Sequence, residues 1–320
     1  MKNNNTVTAS SDMIQDKKFK NIFTLQQILN DSTPLPDSII GNGILSVQSL
    51  LLISGIKKSY KSMLAMNLAL AISNGMSFSI FEIKNKHKVL LISAEGGYYG
   101  NRERIQKMSK KYSNNSITHL NMSFDSRILI DSESGQSYLS ELLSHYNPEV
   151  LIIDPLIKFH NSDENSSKEM IIVMTELRNL IEDFKISIIL VHHMGKNPNS
   201  GPRGSSVVMG EYDSCIEMTR NQTKKNQVKL TFDLRHFESP DPKYIVFNPN
   251  TFWFENNLEK LSSAARLVYE LGPISREELV SKLVESKKYS SDSNAQKAIK
   301  KDLDNGKLEM GKDKLIRLAK

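Results

Sequence analysis

Apolar positions along the chain follow two patterns. Between about Phe23 and Glu255, short β-rich apolar runs alternate with amphipathic stretches, as in a parallel sheet with crossover helices. The runs Leu51–Ser54, Val89–Ser93, Val150–Ile153 and Ile186–Val191 each follow polar or turn residues and lead into a loop with polar or charged groups. Ligands of parallel sheets gather outside the carboxyl ends of strands, so those four loops are where chemistry is expected. Three later runs, Ser214–Arg220, Gln227–Arg235 and Tyr244–Phe254, alternate apolar and polar residues and are separated by NQTKKN and ESPDPK turns. They predict an antiparallel meander that closes the core. Beyond Asn257 the spacing predicts helices over 259–271, 275–288 and 293–304, then a hairpin over 307–318. Ser275 and Glu278 read as a capping box, and Ala295, Ile299 and Leu303 mark the inner face of the third helix. Residues 1–20 carry no periodicity and read as a disordered arm. The expected organisation is therefore an arm (1–20), an α/β domain with a mostly parallel sheet (21–256), and a small α+β domain resembling a winged helix (257–320).

Composition narrows the function classes. No apolar run approaches the roughly 20 residues that span a bilayer, which excludes a membrane protein. The lone Cys215 has no internal disulfide partner and the N-terminus has no apolar signal core, so the cytoplasm is the expected compartment. The 42 basic and 36 acidic residues give a net charge of +6. Residues 257–320 hold 14 basic and 10 acidic residues, so most of that excess sits in the tail. Lys297, Lys300 and Lys301 on the third helix and Lys312 and Lys314 on the hairpin suit a DNA backbone, although folds of this shape also dock proteins.

The candidate chemistry lies at the four strand ends. LLLISGIKKSYKSMLAMN runs from a strand through Gly55 into a helix that begins with Lys61 and Ser62. This matches the phosphate-binding signature G-x-x-x-x-G-K-[ST] except that Tyr60 stands at the second glycine. Backbone N–H groups of Lys58, Ser59 and Tyr60 would cradle phosphate, Lys61 would place a cation on it, and Ser62 would ligate Mg²⁺. The Lys58 side chain either assists phosphate binding or faces solvent. Restoring glycine at position 60 is expected to leave turnover unchanged or raise it. EVLIIDP ends a buried strand in Asp154, either a metal-binding acid or a strand-end cap, and KVLLISAEGG presents Glu95, either a base for an attacking water or a solvent-facing loop acid. After the fourth strand come His192 and His193, one expected to face phosphate and the other to pack. The Gly, Pro, Ser and Asn segment beyond them carries Lys196 and Arg203; Arg203 reads either as a finger reaching a neighbouring subunit or as a nucleic-acid contact.

Gly55, Lys61 and Ser62, then Ala94-Glu95-Gly96, LIIDP at 151–155, VHHMGK at 191–196 and RGSS at 203–206 together resemble the RecA-like ATPases of the plasmid RepA type, over about residues 25–255. Those are hexameric replicative DNA helicases of plasmids, phages and other mobile elements. The resemblance implies ATP and Mg²⁺ as ligands, Glu95 as catalytic base, Asp154 on the metal, His193 or His192 as sensor, and Arg203 acting between subunits. It also implies a hexameric ring on single-stranded DNA; the tail would add duplex contacts or a dock for a primase or loader. The alternatives are an ATP-binding, weakly hydrolysing DNA-binding initiator or regulator, and a docking protein.

Overall fold

The computed structural model describes residues 22–111, 119–125, 127–193, 206–256 and 261–319. The expected arm, Lys196 and Arg203 lie outside the described residues. Two compact units divide the chain after Pro36. The described part of the first holds a six-residue helix, α1 (Leu25–Asn30), begun by a reciprocal capping box between Thr24 and Gln27.

The second unit, Asp37–Lys320, is built on a nine-stranded sheet. β1 (Leu50–Gly55), β2 (Val89–Ser93), β4 (Val150–Asp154) and β5 (Ser187–Val191) are buried at every position, as strands covered on both faces must be. Between β2 and β4 in sequence lies the short β3 (Leu120–Ser123), a polar edge strand whose LNMS carries too little periodicity to be read from sequence. The spatial order is β3-β2-β4-β5-β1, all parallel. Alternation along β1 sends Leu51 and Ile53 into the core beneath α2 (Lys61–Asn74), and Leu50 and Leu52 into the core beneath α4 (Glu133–Tyr146) and α5 (Ser167–Phe184).

The later strands form the expected antiparallel meander, with one strand divided. β6 (Ser214–Arg220) pairs antiparallel with the strand that follows it, as expected, and on its other side parallel with β1, in register Leu52↔Cys215. The parallel pairing joins the two halves of the sheet, a property of the neighbours of β6 that its own residues do not encode. The expected strand Tyr244–Phe254 is two, β8 (Lys243–Phe247) and β9 (Phe254–Asn256), separated by a turn in which Phe252 takes φ 60°. With β7 (Gln227–Leu234) they complete the antiparallel half. Asn67 ties that half to α2: fully buried, it donates to Phe252 O (3.0 Å) and accepts from Phe254 N (2.9 Å).

In the tail, α7 (Ser263–Leu271), α8 (Arg276–Glu285) and α9 (Asp292–Asp304) enclose an apolar cluster that includes Ala265, Leu279, Leu283, Ala295 and Ile299. The hairpin β11 (Leu308–Met310) and β12 (Leu315–Leu318) gains a third strand, β10 (Ile274–Ser275), in the order β10-β12-β11. Lys297, Lys300, Lys301, Lys312 and Lys314 are all exposed. Among the described residues no helix is long and apolar enough to cross a membrane.

Candidate active site

Serines cap α4, α5, α7, α8 and α9, each accepting a hydrogen bond from a first-turn N–H. The helices after β1 and β2 differ. Neither α2 nor α3 (Gly97–Ser109) has a side-chain cap, so their N-terminal N–H groups remain available at the carboxyl edge of the sheet. A cleft of about 390 Å³ opens there, lined by both helix starts and by the ends of β2, β4 and β6.

The loop between β1 and α2 is fixed at two points. A Cβ on Gly55 would lie 2.5 Å from Met218 O and 2.9 Å from Ser59 Oγ, so glycine alone lets β1 turn against β6. Tyr60 itself adopts the left-handed conformation (φ 68°, ψ 20°) that glycine usually supplies in this signature. Its side chain holds it there. The ring stacks on Phe247, with centroids 4.6 Å apart and planes at 22°, and meets the Phe254 ring edge-on. Its hydroxyl donates to Asn226 Oδ1 (3.0 Å), and the Arg220 guanidinium lies 5.1 Å over the ring. The loop is thereby pinned to the antiparallel half of the sheet by contacts that glycine at position 60 would lack.

Lys61 is buried, and its ammonium donates to Gly55 O (2.8 Å) and Ile56 O (2.9 Å). Burial lowers its pKa to about 8 against the opposing pull of Asp154 and Glu95. Ser62 Oγ donates to Asp154 Oδ1 (3.1 Å), bringing together the two residues expected at the metal. Asp154 is 1% exposed, and its Oδ2 has no hydrogen-bond partner. Burial pushes its pKa up to about 6, opposed by Ser62, Lys61 and Arg104. A buried carboxylate oxygen without a donor, beside a serine hydroxyl, is a hard-oxygen site that fits a Mg²⁺ ion. Among the described residues no cluster of three or more His, Cys, Asp or Glu offers a second metal site.

Glu95 stands exposed on the cleft wall after β2, with its backbone carbonyl accepting from Asn101 Nδ2 (2.8 Å). The same buried Asn101 accepts from Arg104 Nη1 through its Oδ1 (3.2 Å) and so aims that guanidinium into the cleft. Gly96 at φ 84° makes this fit, because a Cβ there would crowd Asn101 Oδ1 and Arg104 Nη1 at 3.1 and 3.2 Å. Of the two histidines, His193 faces the cleft. Its Nδ1 is buried without a partner, and burial with nearby Lys61 lowers its pKa to about 4, so the ring is neutral at pH 7. His192 is fully buried and packs with Nδ1 3.8 Å from Glu164 Oε1. Lys58 and Ser59 also line the cleft. Arg104 and Arg220 are additions: in GYYGNRERIQK and IEMTRNQ they read as solvent charges, and only the helix register and the β1–β6 pairing aim them inward.

A family model described as AAA domain matches residues 17–199. No curated protein matches the chain by sequence. Among solved structures the chain is similar to one described as an ATPase domain (TM-score 0.53, 13% identity, 72% of this chain and 95% of that one). It is also similar to a DnaB-like replicative helicase whose structure concerns its interactions with primase (TM-score 0.52, 14% identity, 72% of this chain and 66% of that one). The fold is thus the RecA-like ATPase fold.

Replacing Tyr60 by Gly removes the stack, the Asn226 bond and the Arg220 contact, which outweighs the roughly 1 kcal/mol of left-handed strain that it relieves. Urea unfolding is expected to show a loss of about 1–3 kcal/mol for Tyr60→Gly and under about 1 kcal/mol for Tyr60→Phe, which keeps the stack. Asp154→Asn tests the buried charge. Because Asp154 is raised to about 6 from an unfolded value near 3.8, the folded protein is penalised above pH 6 and the penalty fades as pH falls toward 4. The variant should be more stable than the parent by about 1–3 kcal/mol at pH 7.5 and indistinguishable at pH 4, as read by unfolding midpoints.

Proposed function

The chain belongs to the AAA domain family, and we propose that it is an ATP-driven DNA replication motor: a cytoplasmic, RepA-like replicative helicase of a plasmid, phage or other mobile element, acting as a hexameric ring. The observation that carries this reading is the meeting of Lys61, the Ser62–Asp154 pair, Glu95, Arg104 and His193 around one cleft at two uncapped helix N-termini. The backbone N–H groups of residues 58–62 hold the β-phosphate, and the Lys61 ammonium exchanges its carbonyl partners for phosphate oxygens. Ser62 and Asp154 would hold Mg²⁺, which when bound neutralises charge on the phosphates. Glu95 orients the attacking water and takes its proton, Arg104 offsets charge on the transferring phosphoryl group from within the subunit, and neutral His193 donates a hydrogen bond to it. Arg203 completes the neighbouring subunit's site. Lys196 contacts single-stranded DNA, while Lys297, Lys300, Lys301, Lys312 and Lys314 of a winged-helix tail engage duplex, with a primase or loader as further partner.

A second reading, an ATP-binding regulator with slow turnover, is favoured by the exposure of the Glu95 carboxylate and by the holding of that residue through its backbone carbonyl alone. Single-turnover hydrolysis with and without single-stranded DNA separates the two. The motor reading expects DNA-stimulated turnover, no nucleotide binding in Lys61→Ala, and binding with a loss of about 10²-fold or more in hydrolysis for Glu95→Gln. Mixed rings of Glu95→Gln and Arg203→Ala subunits should regain activity. Turnover in Glu95→Gln equal to the parent's would overturn the assignment.

A further inference from the structure

Helix α3 begins at the cleft but shows a second, unassigned face to solvent. Between residues 97 and 111 the chain carries Arg102, Arg104, Lys107, Lys110 and Lys111 against one acid, Glu103. Three of the five cations are committed elsewhere. Arg104 points into the cleft, Lys107 donates to Pro249 O (3.0 Å) and lies 4.0 Å over the Phe252 ring, and Lys111 lies 4.6 Å over Trp253. Arg102 makes no ion pair among the described residues, and it is exposed together with Tyr98, Tyr99 and Lys110. Tyr98 and Tyr99 are 58% and 74% exposed and stand side by side.

The two rings sit edge to face at 5.4 Å, Tyr98 meets Phe124 at the end of β3 at 6.1 Å, and the Arg102 guanidinium lies 5.2 Å from the Tyr99 centroid and 6.0 Å from that of Tyr98. Exposed aromatic rings with a guanidinium lying over them, and no carboxylate paired to that cation among the described residues, offer the stacking surface and positive charge that bases and phosphates of a single strand require. A partner protein's apolar surface is disfavoured, because the exposed positions of this face (98, 99, 102, 103, 106 and 110) include no aliphatic side chain. We infer that Tyr98, Tyr99 and Arg102 form a stacking platform for single-stranded nucleic acid, distinct from the tail lysines and from Lys196. This deepens the motor reading and rests on it. The platform starts three residues after Glu95, and Asn101, within the same turn, holds the Glu95 carbonyl and Arg104. A strand lying on the tyrosines therefore bears directly on the helix end that carries the hydrolytic groups, giving a route for DNA to raise turnover.

The test uses the full chain and a fluorescein-labelled oligothymidylate, with anisotropy titrations over a salt series and ATPase rates in parallel. Tyr98→Ala/Tyr99→Ala should bind the strand roughly tenfold or more weakly with an unchanged salt slope, since stacking releases no counterions. Arg102→Ala should lower that slope by about one. Tyr98→Phe/Tyr99→Phe should bind as the parent does, because the π-face is retained. ATPase without DNA should persist in all three variants, while its stimulation by DNA is lost in the alanine pair. If the parent binds the strand and the alanine pair binds equally well, the platform is overturned and the motor reading stands. If the parent binds no strand at all, both fall. If the alanine pair loses self-association with its DNA affinity intact, the face is a contact between copies of the chain and the inference is wrong.

Discussion

A carboxylate buried at the end of an apolar strand is unfavourable by several kcal/mol unless its charge is shared, and Asp154 is in that position. One oxygen takes the Ser62 hydroxyl and the other takes nothing, while Lys61 turns its N–H groups onto the carbonyls of Gly55 and Ile56. Burial therefore shifts each group toward its neutral form, the acid upward and the amine downward. A polyphosphate carried with a divalent cation, as the motor reading proposes, would relieve both at once.

The rest of the unit keeps this arrangement in place. Strands buried on both faces bring four loops to one edge, and the serine caps that close five other helices are missing from the two that border the cleft. The antiparallel strands serve the same end. Phe247 and Asn226 hold Tyr60 in a conformation that its own backbone disfavours, and Asn67 joins α2 to the turn leading into β9. A side-chain anchor has taken over what glycine's freedom does in the full signature.

Those features were legible to different degrees. The buried strands, the phosphate loop, Glu95, Asp154 and the tail helices follow from runs of residues whose pattern is complete within a short window. The parallel pairing of β6, the break between β8 and β9, and the inward aim of Arg104 and Arg220 depend on neighbours far along the chain, so no local pattern holds them. Tyr60 shows the limit clearly. Its departure from glycine was visible, but its consequence depended on Phe247 and Phe254, nearly two hundred residues downstream and unmarked in sequence.

In the motor reading, Lys61 is a phosphate-binding ammonium kept partly discharged until a nucleotide arrives. Titration calorimetry of ATP binding at pH 8, in buffers of different ionisation heat, counts the protons exchanged. With Lys61 near 8, about half the free protein holds the neutral amine at that pH, and binding restores the charge. Uptake of roughly half a proton per ATP is expected at pH 8, falling to near zero at pH 7, where the tenth gained by Lys61 is offset by about a tenth lost from Asp154. ATP binding at pH 8 with no proton uptake would contradict it.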